Sequence, residues 1–178
     1  MYEIQTLSAA QARQSLADLV LLLQDAVDSG ASVGFLPPLA ASQANRYWER
    51  VFAAVDEGSR VLLAARVNGR LIGAVQLDPS PMPNGSHRAE VMKLMVHRDA
   101  RRRGIGRALM ASVEDAARAA GRSLLVLDTR QGDPSEQLYS RVGYTPAGVI
   151  PQYARSASGE LHSTVFFYKN LTPAVREC

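Results

Sequence analysis

The stretch that decides the fold runs from His97 to Met110 and reads HRDARRRGIGRALM. An apolar, strand-like run comes before it, and a helical pattern begins directly after its glycines. The first backbone N–H groups of a helix have no partners inside the helix, and the helix dipole places partial positive charge beside them. Gly104 and Gly106 carry no Cβ, so an anion can approach these amides closely. The stretch therefore predicts a strand, a phosphate-binding turn and a helix.

Positive charge around the glycines makes a diphosphate the expected ligand. Four arginines contribute it: Arg101, Arg102, Arg103 and Arg107. The turn lacks the Gly-Lys-Ser/Thr ending of a P-loop, Leu109 replaces the third glycine of GxGxxG, and the turn lies past the middle of the chain. Nucleotide hydrolysis and nicotinamide binding are therefore disfavoured. A solvated helix start with incidental arginines is the structural alternative.

On the N-terminal side, the pattern predicts two helices and then a hairpin. Ser8 can cap a helix that runs through Asp28, and Gly30 can end it. Asn68-Gly69, between two apolar runs, is a two-residue hairpin signal. We expect strands over Tyr2–Leu7, Val61–Val67, Leu71–Leu77 and His87–His97, helices over Ser8–Asp28 and Ala41–Glu57, and a loop over Gly30–Pro38.

On the C-terminal side, the pattern predicts a β-α-β crossover followed by a second antiparallel pair. Leu124–Leu127 is continuously apolar, as expected of a strand covered on both faces. We expect helices over Ile105–Ala120 and from Asp133-Pro134 onward, and strands over Leu124–Leu127, Tyr144–Val149 and His162–Lys169. The order β-α-α-β-β-β-α-β-α-β-β predicts an α/β fold, with one mixed sheet flanked by helices in a single domain over residues 1–178.

Composition sets the broad class of the protein. The 178 residues are 47% hydrophobic and 21% charged, a globular composition, and the net charge of +3 does not by itself indicate nucleic acid. The longest apolar stretch is too short for a membrane span, and no export signal is evident. We therefore expect a cytoplasmic protein that binds neither membrane nor nucleic acid. Cys178 is the only cysteine, and no role is expected for a thiol at the chain end.

Two other chemistries are disfavoured. His87, His97 and His162 show no metal-ligand spacing, so no metal is expected. One Gly-x-Ser-x-Gly match occurs, Gly30-Ala31-Ser32-Val33-Gly34, but it falls in the loop after a predicted helix and not on the strand-to-helix turn that a serine hydrolase requires.

The spacing Arg101-x-x-Gly104-x-Gly106, between a strand and a helix, resembles the coenzyme A signature of the GNAT family of N-acetyltransferases. A second stretch, Ser135-x-x-x-Tyr139 followed by Gly143-Tyr144, resembles a later motif of the same family. The resemblance implies acetyl-CoA as co-substrate. It also implies a mostly antiparallel central sheet that contains one parallel, splayed strand pair.

The resemblance also implies roles for residues. The splayed strand would be Glu90–Val96, whose backbone would bind the pantetheine arm, and Tyr139 would protonate the thiolate that leaves when an amine attacks a thioester. Ordinary helix packing is the alternative interpretation of Tyr139. The implied coenzyme-binding residues are Leu94, Met95, Val96, Arg101, Arg102, Arg103, Gly104, Ile105, Gly106 and Arg107.

Further stretches carry a closer resemblance: Gly30 to Phe35, Arg88 to Val91 with Lys93 to Val96, and Leu127-Asp128-Thr129. They resemble toxin-resistance members of the family that acetylate a β-lactam amino acid. This resemblance implies that Glu90 and Asp128 deprotonate the acceptor amine and that Phe35, in the 30–38 loop, covers it. Asp128 follows the apolar run Leu124–Leu127, at the strand edge where ligands of α/β sheets gather. The structural alternatives are that Asp128 caps a turn and that Glu90 pairs with Arg88 or Lys93.

The sequence thus predicts an N-acetyltransferase acting on a primary amine of a small molecule, possible as a monomer or a homodimer. Other acceptors stay open: a polyamine, an aminoglycoside or a peptide N-terminus. A non-catalytic module that binds acyl-CoA or nucleic acid is the alternative from another class. The basic stretch Arg98–Arg107 contains no aromatic residue that would favour single-stranded nucleic acid.

Overall fold

The computed structural model describes residues 2–171. Within them, seven strands form one sheet in the order β1-β2-β3-β4-β5-β7-β6. The strands are β1 (Glu3–Leu7), β2 (Val61–Val67), β3 (Arg70–Pro79), β4 (Arg88–Val96), β5 (Leu124–Arg130), β6 (Thr145–Arg155) and β7 (Leu161–Asn170). The helices are α1 (Ala9–Gln14), α2 (Leu16–Asp28), α3 (Ala41–Asp56), α4 (Ile105–Ala119) and α5 (Pro134–Arg141).

The two faces of the sheet carry separate cores. Helices α1, α2 and α3 cover one face around Trp48, whose indole N–H donates to the Leu19 carbonyl at 3.0 Å. Helix α4 covers the other face with Leu109, Met110 and Val113, all fully buried. The predicted mixed sheet flanked by helices is confirmed.

Among the strands formed by residues 2–171, only one neighbouring pair is parallel, and it is short. Strands β4 and β5 pair from Arg88↔Leu124 to Glu90↔Val126 and then separate, although β4 continues to Val96 and β5 to Arg130. The remaining pairs in the sheet are antiparallel. The expected splayed pair is therefore present, and it opens the centre of the sheet toward the carboxyl ends of both strands.

The predicted helix over Ser8–Asp28 is wrong in one respect, because it is two helices broken at Ser15. Ser8 caps the first as predicted, with its Oγ accepting from Gln11 N–H at 3.3 Å. Ser15 Oγ donates back to the Gln11 carbonyl at 2.9 Å and accepts from the Arg66 guanidinium. A serine bonded to its own helix backbone and to a strand can bend the chain there.

Three smaller expectations also need correction. Strand β6 extends well past Val149 to Arg155, and two register shifts absorb its prolines at the sheet edge. Helix α5 begins at Pro134 as predicted, but the Asp133 carboxylate pairs with Arg130 instead of capping it. In β5, only alternate residues are fully buried, so the strand is not covered equally on both faces.

No helix within residues 2–171 is both long and apolar enough to cross a bilayer.

Candidate active site

A cleft of about 1010 Å³ opens where β4 and β5 separate. Its walls are the second half of β4, the turn before α4, the splayed end of β5, the start of α5 and residues 29–33 after α2. Most of the residues predicted for the site line this one cleft: Glu90, Leu94, Met95, Val96, Arg101, Arg102, Gly104, Ile105, Gly106, Arg107, Asp128 and Tyr139.

The turn before α4 presents unpaired backbone donors to the cleft. Gly104 is the N-cap of α4 with a left-handed φ of 80°, and Arg102 has a φ of 62°. The amides of residues 102–107 donate no hydrogen bond to any part of the protein that the structure describes, and the first turn holds no acidic residue. Successive free N–H groups in left-handed turns at a helix start form an anion-binding concavity. The residues present therefore fit a diphosphate.

Gly106 has a structural role besides the one predicted for it. A Cβ built on Gly106 would lie 3.3 Å from Leu138 Cδ2, so the missing side chain lets α5 approach α4. Residues of both helices line the cleft. Gly106 thus sets how closely α5 packs on the start of α4.

The four predicted arginines divide into three kinds. Arg102 and Arg107 line the cleft, whereas Arg103 is exposed and is not among the lining residues. Arg101 lines the cleft but is also engaged within the protein, because its Nε donates to the Val96 carbonyl at 2.9 Å. Arg101 therefore braces the turn, and a coenzyme role for Arg103 stays a prediction.

A buried carboxylate that sequence analysis missed anchors this turn to α2. Asp25 accepts from the Arg98 backbone N–H at 3.0 Å and from the Arg98 side chain, and it lies 3.7 Å from Arg101 and 3.8 Å from His97. The signal that could have identified it is an acidic residue between Leu23 and Val27, two apolar positions of α2 that are buried as Asp25 is. Asp25 joins the helix on one side of the sheet to the anion-binding turn.

A bulge interrupts β4 in the middle of the cleft wall. Val75 lies opposite both Lys93 and Leu94, and Lys93 has a left-handed φ of 53°. The inward-facing side therefore reverses: Val91 packs in the core beneath α4, whereas Met95 packs in the core beneath α1–α3. Leu94, Met95 and Val96 follow the bulge and line the cleft, where the pantetheine arm is expected.

Tyr139 faces the cleft from α5 and is 7% exposed. Its ring packs against those of Tyr144 and Phe167, at centroid distances of 6.1 and 5.9 Å. Burial raises the pKa of the phenol strongly, and the nearby Asp128 charge raises it further. Tyr139 therefore keeps its proton at neutral pH and can act as an acid toward a group in the cleft.

Glu90 and Asp128 lie on facing strands at the point of separation. Desolvation raises the pKa of Glu90, and the charges of Asp128 and Asp78 raise it further. Asp128 is open to the cleft, yet the surrounding protein removes enough hydration to raise its pKa, an effect that Lys93 partly offsets. A raised pKa makes each carboxylate a stronger base than an ordinary surface carboxylate, which suits it to accept a proton.

The structural alternatives for these two carboxylates are not observed. Asp128 does not end its strand, since β5 continues to Arg130 and Asp128 pairs with Phe166 of β7. It therefore caps no turn, and the expectation that it would lie at the end of the strand is wrong. Among residues 2–171, Glu90 forms no salt bridge with Arg88 or Lys93.

Phe35 does not line the cleft. It is half-buried, and its ring meets the edge of Tyr47 at a centroid distance of 5.3 Å. The neighbouring residues 29–33 do line the cleft, and the Arg130 guanidinium donates to the Gly30 carbonyl at 3.1 Å. The loop therefore borders the site as expected, while contact between Phe35 and substrate stays a prediction.

Among residues 2–171, no group of three or more His, Cys, Asp or Glu is arranged to hold a metal ion. Cys178 lies outside the described residues.

Known proteins resemble this chain in sequence and in fold. The profile of the Acetyltransferase (GNAT) family matches residues 26–144. The chain belongs to the GNAT family of acetyltransferases. An N-acetyltransferase encoded in the hisH-hisA intergenic region of Azospirillum brasilense is 34% identical over 118 residues, which are 65% of this chain and 68% of that protein.

Solved structures of the same fold cover almost the whole chain. The yncA protein of Salmonella typhimurium, solved with its cofactor acetyl-CoA, has a TM-score of 0.78 at 18% identity and covers 100% of this chain and 98% of its own. An N-acetyltransferase from Staphylococcus aureus Mu50 has a TM-score of 0.81 at 17% identity, with 97% and 99% covered. This GNAT protein is an acetyl-CoA-dependent N-acetyltransferase with the mixed sheet typical of the family.

Proposed function

We propose that this GNAT enzyme transfers acetyl to a primary amine of a small, amino-acid-like molecule, by direct attack within a ternary complex. The observation that carries the proposal is the meeting of Glu90, Asp128 and Tyr139 in one cleft, beside the free amides of residues 102–107. This reaction needs a base, here two carboxylates, together with an acid and a site for an anion.

The anion-binding turn would hold the coenzyme. The free amides of residues 102–107 would donate to its diphosphate, with Arg102 and Arg107 beside them. The backbone of Leu94 to Val96, on the unpaired side of β4, would bind its pantetheine arm. When bound, the coenzyme supplies an acetyl group as an activated thioester.

Glu90 and Asp128 would prepare the acceptor. A protonated amine has no lone pair with which to attack, so its proton must leave first. The two carboxylates face the cleft and their raised pKa values make them stronger bases than ordinary surface carboxylates. The proton passes from the ammonium nitrogen to a carboxylate oxygen, directly or through water.

Tyr139 would complete the transfer by giving its Oη proton to the coenzyme's sulfur. Its strongly raised pKa keeps the phenol neutral, and its position on α5 places it in the cleft wall opposite β4. Packing against Tyr144 and Phe167 limits the movement of the ring. A proton held at a fixed atom requires no reorganisation when the thiolate leaves.

A finer proposal concerns the acceptor itself. The stretches Arg88-Ala89-Glu90-Val91 and Leu127-Asp128-Thr129 are similar to those of the tabtoxin resistance protein, which acetylates a β-lactam amino acid. The two stretches lie on the neighbouring strands β4 and β5, which pair from Arg88↔Leu124 to Glu90↔Val126, and Asp128 follows shortly after the paired region. Resistance to such a toxin is therefore the first physiological role to test. Polyamines, aminoglycosides and peptide N-termini are the competing acceptors.

The test is a colorimetric assay of coenzyme A release with acetyl-CoA and a panel of amines that includes β-lactam amino acids. We expect release above the hydrolysis background with amino-acid-like acceptors, and N-acetylated product by mass spectrometry. Tyr139→Phe should lower kcat by about a hundredfold while leaving acetyl-CoA binding unchanged. Release only with polyamines or peptides would overturn the proposed acceptor class, and full turnover by Tyr139→Phe across the pH range would remove the tyrosine from the mechanism.

A further inference from the structure

Lys93 stands out among the cleft residues because the mechanism above does not use it. It is one of two lysines in the chain, and it occupies the extra position of the β4 bulge. A lysine at a φ of 53° is held in a conformation that side chains with a Cβ rarely adopt. The bulge places a cation in the cleft wall, between Glu90 and the stretch Leu94 to Val96 along β4.

The position of the ammonium group is defined by a contact with the loop after α2. A Cβ built on Gly34 would lie 3.5 Å from Lys93 Nζ, so the ammonium sits against the Gly34 backbone. Lys93 therefore extends from β4 toward the loop that borders the acceptor side of the cleft. The loop meets it with a glycine, which leaves space around the cation.

The charges around Lys93 are close but do not pair with it. Asp128 and Glu90 both act on its pKa, yet burial is the largest effect and lowers that pKa overall. None of the salt bridges formed among residues 2–171 involves Lys93. By contrast, Lys169, the other lysine, is bound by Glu114 at 2.8 Å. A half-buried cation without a partner is in a costly environment that a bound anion would relieve.

We propose that Lys93 binds the carboxylate of the acceptor, so that Glu90 and Asp128 on one side and Lys93 on the other form a site for a zwitterionic amino acid. The acceptor ammonium would lie at the two carboxylates, and its carboxylate would lie at Lys93 Nζ beside Gly34. The charges of the site are then complementary to those of the ligand. This inference rests on the proposed function, and it names the feature of the acceptor that the enzyme reads.

The test uses acceptors in matched sets: the common α-amino acids and β-lactam amino acids, each with its carboxamide and its decarboxylated amine. Coenzyme A release gives kcat and KM for wild type, Lys93→Met and Lys93→Arg. The wild-type enzyme should prefer the free acid over the carboxamide and the amine, mainly through a lower KM. Lys93→Met should reduce that preference by about tenfold or more, because a charge-assisted hydrogen bond is lost, and Lys93→Arg should restore part of it.

Two further measurements separate this role from a structural one. KM for acetyl-CoA should be the same in all variants, and Arg46→Met, on the exposed side of α3, should behave as wild type. A Lys93→Met enzyme whose kcat/KM falls equally with the acid, the carboxamide and the amine would overturn the inference, as would a wild-type enzyme that favours the acceptors without a carboxylate. Both results leave the proposed transferase reaction standing. No release by wild type with any amine would instead overturn the proposed function, and the inference with it.

Discussion

The two ends of the cleft are built from different parts of the chain. The end that we propose binds the coenzyme consists mainly of backbone: free amides over residues 102–107, a left-handed glycine and the unpaired side of β4. The end that we propose binds the acceptor consists of side chains, with Glu90 and Lys93 from β4 and Asp128 from β5. A site made of backbone depends on local conformation, whereas a site made of side chains depends on how distant segments meet. The first should tolerate many side-chain changes, and the second should not.

The largest effect should come from removing a base at the acceptor end. Asp128→Asn should lower kcat/KM by about a hundredfold, because a positioned proton acceptor is lost. The Asp128 charge raises the pKa of Glu90, so its removal should lower that pKa and move the acidic limb of the pH profile to lower pH. The pH dependence of kcat/KM measures this shift.

The matched measurement is the Kd of acetyl-CoA by calorimetry, which Asp128→Asn should leave unchanged. An acidic limb that moves to higher pH would contradict the coupling between the two carboxylates. A weakened coenzyme affinity would show that the two ends of the cleft are not separate in the way described.

An intermediate effect should come from the arginines at the coenzyme end. Arg102→Gln with Arg107→Gln should raise the Kd of acetyl-CoA by about tenfold, because two charged groups beside the diphosphate are lost. The effect should shrink as salt is added, since exposed charges are screened. With acetyl-CoA saturating, kcat should stay near that of wild type.

The chain supplies a control on the same turn. Arg103 is exposed but does not line the cleft, so Arg103→Gln should change the Kd much less. Equal losses in the two enzymes would mean that the general positive field of the turn binds the coenzyme, and that no individual arginine contacts it.

A smaller effect should come from Asp25, which joins α2 to the anion-binding turn. Asp25→Asn keeps the size of the side chain but weakens the bonds to Arg98 that anchor the turn. We expect a roughly fivefold rise in the Kd of acetyl-CoA and little change in acceptor KM. Asp28→Asn, exposed near the end of the same helix, is the control. An unchanged Kd in Asp25→Asn would show that the turn holds its shape without α2.

The contrast between the two ends also explains what the sequence could predict. The glycines and arginines of the turn lie within seven residues, so their local pattern indicated both the anion site and the helix that follows. The break at Ser15 could not be predicted in the same way, because it depends on Arg66, 51 residues away. The Lys93 bulge likewise depends on the register of β4 against β3. How two distant segments pair cannot be predicted from the sequence of either segment alone.

Asp128 shows both sides of this limit. Its place after an apolar run correctly indicated a carboxylate at the splayed strand, since β4 and β5 pair only as far as Glu90 and Val126. The sequence nevertheless ended the strand too early, because Thr129 and Arg130 have no apolar pattern and are held by pairing with β7. Local hydrophobicity thus predicted the presence of β5, whereas its length depends on pairing with β7.

The smallest effect should come from the glycine that shapes the coenzyme end. A Cβ on Gly104 would meet only Tyr2 Oη, at 3.8 Å, so the cost of Gly104→Ala is its left-handed φ of 80° and not a clash. We expect a loss of about 1 kcal/mol in the free energy of unfolding, which lowers Tm by about 3 °C. Gly148→Ala, where the added Cβ meets nothing within 4 Å, should leave Tm nearly unchanged. If alanine shifts the turn away from this φ, its amides no longer converge on the diphosphate, and saturating acetyl-CoA should raise Tm less in Gly104→Ala than in wild type. An equal rise in both proteins would place the binding energy in the arginines.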